Sequence, residues 1–348
     1  MRLNRRTVLG GLVASTALAS PTILRAQTRE LVMVGYGNDS DAPLIAAGKE
    51  LGRRNPGVSL QVIGGLSAEA LAQIKASRGN SPYDLAVMGS PAIINALAED
   101  VLVPLDFSKI PNSQNVDPKF PPYGYNVGQP IWFEGIGIAY DSTRISTPPA
   151  SWASLWSGEY NGRVGMCRPQ SNLGLGVLAA TCEAFGMPQD DMSFALEKWQ
   201  ELDPLVGRSP SLLQQMIERG EVDLAPLWHV NTALAASTGL PIGYAKLTEP
   251  GPLMLPTNIV QFVNTADGTA DLVHEFADIL LMPSIQEMAG SAPIYFGTVV
   301  KGIEVPAAAA PYVPSTPEEL ASTTSLDWPS FAPLRGETVE TFDRMFAA

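Results

Sequence analysis

The chain holds only two cysteines and two histidines in 348 residues. Cys167 and Cys182 are poorly placed for a disulfide: Cys182 falls about ten residues into a helix expected to begin just after Cys167, roughly 15 Å along the axis. A bridge tolerates only about 6 Å between Cα atoms, so two buried free thiols are expected. His229 and His274 are far apart, and no His-x-x-x-His spacing occurs. Also missing are a Gly-x-Ser-x-Gly elbow, a phosphate-cradling Gly-x-x-x-x-Gly-Lys and a dinucleotide fingerprint. No cofactor and no metal site are therefore expected. Carboxylate chemistry needs no linear motif, so an exported periplasmic enzyme stays open as an alternative.

Positive charge is also scarce, with 22 Lys and Arg against 35 Asp and Glu and a net charge of −13. An acidic chain of this kind is repelled by nucleic acid and by anionic lipid. No apolar run approaches the roughly 20 residues that span a bilayer. With 45% hydrophobic residues the chain can still bury a large core, and its length points to two lobes.

The N-terminus carries the clearest signal. Asn4-Arg5-Arg6-Thr7-Val8-Leu9 sets paired arginines before an uncharged apolar stretch that runs to Ala19, with Pro21 and Arg25 beyond it. The stretch reads as a signal peptide ending at Ala26, and a buried N-terminal helix would leave its arginines awkwardly placed. The arginine pair resembles a twin-arginine export signal, with Asn4 in place of the usual Ser or Thr and Val8 in place of Phe. Four basic residues (Arg2, Arg5, Arg6 and Arg25) and no acidic ones precede residue 27, so cleavage there takes the net charge from −13 to −17. The mature protein is expected in the periplasm, soluble and monomeric.

From residue 30 the pattern alternates strand and helix, which predicts an α/β fold with a mostly parallel sheet. Strands are expected at 30–34, 58–62 and 83–88, with helices at 41–54, 67–78 and up to about Ala98. A Pro-rich stretch from Pro111 to Pro130 interrupts the rhythm. It resumes with strands at 136–140, 164–167, 222–227 and 259–263 and helices at 173–185, 191–202, 210–219, 229–237 and 269–282. Ala307–Pro314 reads as a linker outside the core, and His274 as a solvated or partly packed helix residue. Thr316-Pro317-Glu318-Glu319 has the form of a capping box with Pro at the first helical position.

Several segments together resemble the bacterial family 1 extracellular solute-binding proteins, which include polyamine and ferric-iron receptors. They are Tyr83-Asp84-Leu85-Ala86-Val87 with Val101-Leu102-Val103-Pro104-Leu105-Asp106, then Pro149-Ala150-Ser151-Trp152-Ala153-Ser154-Leu155-Trp156 with Tyr160-Asn161-Gly162-Arg163-Val164, and Leu326-Asp327-Trp328 near the end. The resemblance implies a two-lobed periplasmic-binding-protein fold of type II character, with two parallel-rich sheets joined by crossing hinge strands. It implies lobe 1 from residues 27–134 plus 258–300, and lobe 2 from 135–257 plus 301–348 with the C-terminal helices. It also implies a receptor that closes on a small solute and delivers it to an ABC transporter permease in the inner membrane.

Ligands of open parallel sheets bind outside the carboxyl ends of strands, and that rule selects the residues to weigh. Tyr36 and Asn38 follow the first strand in Gly35-Tyr36-Gly37-Asn38; an ordinary turn with an exposed Tyr fits equally. Ser90 opens a helix, as ligand donor or as simple cap. Trp132 and Glu134 precede the 136–140 strand, where Glu134 suits a ligand amine and Trp132 either the cleft or a hinge. Arg168, Ser171 and Asn172 stand where polyamine receptors carry acids. A guanidinium beside a helix N-terminus suits an anion, although an Arg paired with a surface acid is the competing reading. Trp228 and His229 end the 222–227 strand; Thr257 lies in the return segment, where Met254 and Pro256 replace the Trp and Asp of polyamine receptors. Tyr295, beside Phe296, lies near a cleft Tyr of the same receptors. The expected ligand is a small polar organic solute, anionic or zwitterionic, anchored by Arg168; a polyamine is the runner-up.

Overall fold

The computed structural model describes residues 29–65, 67–77, 81–124, 126–248 and 250–346. The paired arginines and the apolar stretch that follows them lie outside the described residues. In chain order the strands are β1 (Arg29–Gly35), β2 (Val58–Gly64), β3 (Leu85–Gly89), β4 (Leu102–Val103), β5 (Gly128–Asp141) and β6 (Gly165–Cys167). They continue with β7 (Leu205–Gly207), β8 (Leu224–Trp228), β9 (Ile242–Ala245), β10 (Leu253–Phe262), β11 (Gly297–Thr298) and β12 (Thr324–Ser325).

β2 and β3 run parallel to β1 on its two edges, in registers Arg29↔Val58 and Met33↔Leu85. Parallel neighbours need crossovers, and helices Ala42–Arg54 and Ser67–Ala76 supply them. The first has Pro43 in its opening turn and buries Leu44, Ala47, Gly48 and Leu51 against the sheet. Period-2 alternation sorts the strand residues to opposite faces. Leu31, Met33, Leu85, Val87 and Ile259 enter one core, whereas Val34, Ala86, Met88, Val260 and Phe262 enter another. A third core gathers Ile136, Ile138, Trp152, Trp199 and Leu224 with Trp328, Phe331 and Phe342 from the chain's end.

β5 and β10 connect these regions. They pair antiparallel from Leu253↔Ile136 to Val260↔Gly128, with a register shift between Thr257 and Asn258. β10 continues onto β3 and β4, and the first half of β5 takes β11. The second half of β5 pairs instead with β8 and β9. β6 and β7 form a parallel pair linked to β8 through the bridge Val164↔Leu224.

As expected, crossing strands join the two regions: β5 and β10 carry hydrogen bonding through ten strands. Several other expectations are corrected. Both strands begin earlier than the expected 136–140 and 259–263. Pro130 and Pro256 sit inside the ladders, opposite Asn258 and Phe133, and prolines ordinarily demote a strand assignment. The 307–314 segment is not a free linker, because Ala309 and Val313 are buried with Ala233 and Tyr295. His274 is buried rather than solvated, and its Nε2 accepts the Asp106 N–H at 2.8 Å. Cys167 and Cys182 are both buried and free.

Candidate ligand-binding cleft

The carboxyl ends of β1, β2 and β3 converge with that of β8 on two adjoining cavities. The inner one, about 230 Å³, is lined by Tyr36, Gly89, Glu134, Asn172, Trp228 and Thr257 among others. The outer one, about 410 Å³, is lined by Tyr36, Asn38, Asp39, Glu134, Asn231 and Phe296 among others. Tyr36 and Glu134 belong to both. These volumes suit a small solute. Neither cavity is lined by a Lys or Arg among the described residues.

One wall is aromatic. Tyr36 packs on Phe296 with ring centroids 5.5 Å apart, and Phe296 stacks on Trp132 at 5.1 Å. Trp132 lies fully buried behind them and donates from Nε1 to the Tyr36 hydroxyl at 2.8 Å. Burial moves the Tyr36 phenol well above its usual range, so it is a neutral hydroxyl at any physiological pH. Its loop closes against backbone: Gly37 has a φ of +77°, and a Cβ there would come within 2.8 Å of the Gly64 Cα.

The Glu134 side chain makes no hydrogen bond or ion pair with the described residues. Burial alone pushes its carboxyl up to about 7, because the charged form is desolvated without compensation. An ammonium entering the cleft would supply that compensation.

The other expected residues divide by whether their polar atoms are already engaged. Asp41 accepts the Tyr36 N–H at 2.7 Å and the Gly37 N–H at 2.8 Å, so neither of these two groups is left for an anion. Asn38 lines the outer cavity, but its side chain accepts the Ser40 N–H at 2.9 Å. Ser171 caps its helix, accepting the Gly174 N–H at 3.0 Å and donating to the Arg168 carbonyl at 3.0 Å. Ser90 is buried in the first turn of its helix and does not line either cavity, although Gly89 and Pro91 beside it do.

His229 is fully buried, with both ring nitrogens held by backbone. Nδ1 accepts the Gly135 N–H at 2.6 Å and Nε2 faces the Tyr295 carbonyl at 2.7 Å, which fixes a neutral ring with its proton on Nε2. Burial lowers its pKa to about 4. Tyr295 contributes this carbonyl rather than its ring, which packs with Tyr312 away from both cavities; the adjacent Phe296 is the cleft aromatic.

Arg168 is the chief correction. Its guanidinium pairs with Asp343 of helix Arg335–Phe346 and lines a separate groove of about 710 Å³ with Asp203, Arg208 and Phe342. It lines neither cleft cavity. The strand-end rule placed its backbone correctly, but its partner lies far along the sequence and no local pattern announces it. Missed altogether were Asp39, an acidic residue in a turn, and Asn231, two residues beyond His229 in the same helix. The strand-end rule that singled out His229 reaches Asn231 as well.

The geometry has counterparts in known proteins. Residues 46–314 match the family described as bacterial extracellular solute-binding protein. A gamma-aminobutyric acid-binding protein of Pseudomonas aeruginosa is 25% identical over 89% of this chain and 89% of its own. A candidate 2-aminoethylphosphonate-binding periplasmic protein of Salmonella typhi is 26% identical over 49% of this chain and 48% of its own. Among solved structures, a candidate extracellular solute-binding protein from Bordetella parapertussis superposes with a TM-score of 0.78 at 19% identity, covering 91% of this chain and 98% of its own. With the family match extending over most of the sequence and the fold shared nearly end to end, the chain belongs to the bacterial extracellular solute-binding proteins.

Proposed function

We propose that this protein is the periplasmic receptor of an ABC importer and that it captures a short zwitterion carrying a primary ammonium group. The unpartnered Glu134 carboxylate in both cavities carries the reading. A half-buried acid whose charge is uncompensated discriminates in favour of a cation, since a charge-assisted hydrogen bond contributes about 1.5–3 kcal/mol. Tyr36 and Trp228 border the methylene chain, and Thr257 offers a hydroxyl. The relatives named for gamma-aminobutyric acid and 2-aminoethylphosphonate support the same ligand shape. Lobe 1 (27–134 with 258–300) and lobe 2 (135–257 with 301–348) would close on the ligand, and the closed form would meet the permease as a monomer. A binding rather than a catalytic role is supported by His229, whose two nitrogens are both held by backbone and are not free for proton transfer.

A short diamine is the second reading, favoured by Asp39 as another carboxylate at the outer cavity. Calorimetric titration with 4-aminobutyrate, 2-aminoethylphosphonate and butane-1,4-diamine separates the two. Tighter binding of either zwitterion supports the proposal. Preference for the diamine transfers it to the second reading, and binding of none of the three rejects both.

A further inference from the structure

We infer that Arg335 is the positioning residue that turns the Asn172 carboxamide, so that its NH2 group faces the cleft and receives the anionic end of the ligand. This rests on the zwitterion reading and deepens it. Arg335 opens helix Arg335–Phe346 and reaches back to the turn before helix Asn172–Ala184. Its Nη1 donates to the Gln170 carbonyl at 2.8 Å and the Pro169 carbonyl at 3.3 Å; its Nη2 donates to Asn172 Oδ1 at 2.7 Å.

A guanidinium can only donate, so the oxygen of the Asn172 amide must face it and the NH2 must point elsewhere. Asn172 is exposed and lines the same inner cavity as Glu134, and its NH2 has no partner among the described residues. No carboxylate lies within ion-pair distance of Arg335 among the described residues. Its charge is met only by neutral oxygens, and burial lowers its pKa with no opposing acid. The positive charge is therefore left to act through Asn172 on the cavity. The N-terminal end of the Asn172 helix adds a partial charge of the same sign. One cavity thus carries an uncompensated acid on one wall and an amide donor backed by an uncompensated cation on the other, a match for an ammonium and an anion on one short chain.

Arg168 shows why position alone does not suffice. It stands one turn earlier in the same segment, yet Asp343 neutralises it.

The test is calorimetric titration of 4-aminobutyrate and of n-butylamine, which keeps the ammonium and lacks the anion, against Arg335→Ala, Arg335→Lys and Asn172→Asp. Arg335→Ala should weaken 4-aminobutyrate about 10- to 150-fold and leave n-butylamine unchanged. Arg335→Lys should restore part of the loss, because ammonium lacks the planar fork. Asn172→Asp should abolish 4-aminobutyrate binding while thermal stability holds or rises, since Arg335 gains a carboxylate. Equal losses for the two ligands in Arg335→Ala, or none, would overturn the inference by reducing Arg335 to a structural strap. Equal affinity of the unaltered protein for the two ligands overturns it as well but leaves the ammonium at Glu134 standing. Binding of 4-aminobutyrate that is indifferent to Glu134→Gln removes the reading beneath it.

Discussion

Glu134 and His229 meet at one peptide bond and have opposite fates. The amide joining Glu134 to Gly135 in β5 donates its N–H to His229 Nδ1, at the start of helix His229–Ser237, so the two titratable side chains meet at one peptide of that strand. Both are desolvated, and desolvation moves each toward its neutral form: Glu134 up to about 7, His229 down to about 4. His229 has both nitrogens engaged by backbone, one from β5 and one from the segment before β11, and so ties lobe elements together. Glu134 has nothing engaged. A buried polar group that is fully satisfied is scaffold, whereas one left unsatisfied in a cavity awaits a partner. Charge pairing separates Arg168, whose guanidinium meets Asp343, from Arg335, held only by carbonyl and amide oxygens.

The sharpest way to break this comparison is to remove the satisfied member. His229→Ala should lower unfolding free energy by about 3–5 kcal/mol, combining a cavity with an orphaned buried N–H. Urea denaturation measures it; a loss under about 1 kcal/mol would mean the ring is not a structural tie. Removing the unsatisfied member should do the reverse. Glu134→Gln should weaken binding of an ammonium ligand about 10- to 150-fold, without destabilising the unliganded protein. A Glu134→Gln variant that unfolds more easily would move Glu134 into the scaffold class.

Stability against pH sharpens the contrast, because the two groups contribute slopes of opposite sign. The folded pKa of His229 lies below its unfolded value of 6.5, so its contribution is full above 6.5 and is lost as pH falls toward about 4. The folded pKa of Glu134 lies above its unfolded value of 4.5, so its contribution is full below 4.5 and is lost as pH rises through about 7. The two slopes offset each other between about pH 4.5 and 6.5, so denaturation of the unliganded protein should show stability falling with pH there in His229→Ala and rising with pH in Glu134→Gln. Identical profiles in parent and variants would contradict both assignments. The smallest effect is expected at Arg168: its partly exposed ion pair contributes about 0–1 kcal/mol, so Arg168→Ala should leave ligand affinity unchanged. A tenfold loss of affinity there would return Arg168 to the cleft.

Local patterns carried much of the fold. Strands β1, β2 and β3, the helix stop at Asn55-Pro56-Gly57 and the strand end at Gly89-Ser90-Pro91 were legible because each signal lies within a few residues. The full lengths of β5 and β10 were not, since Pro130 and Pro256 read as strand breakers until the antiparallel partner and its register shift are seen. The cleft divides in the same way. The strand-end rule reached Tyr36, Asn172 and Trp228, which line the inner cavity, because a backbone position is a property of local order. It could not tell that Ser171 caps its own helix, that Trp132 stands behind Phe296, or that His229 faces two backbone groups. Direction and satisfaction of a side chain depend on partners distant in sequence, of which Asp343 and Arg335 are the clearest.

The central claim is that Glu134, about half protonated at neutrality, waits for a ligand ammonium. Calorimetric titration of 4-aminobutyrate at pH 6.5, repeated in buffers of different ionisation enthalpy, measures the protons exchanged on binding. With the Glu134 carboxyl at about 7 in the empty cleft, binding should release roughly 0.7 proton per ligand, and Glu134→Gln should abolish the release. Binding with no dependence on buffer, or with the same release in Glu134→Gln, would contradict the account.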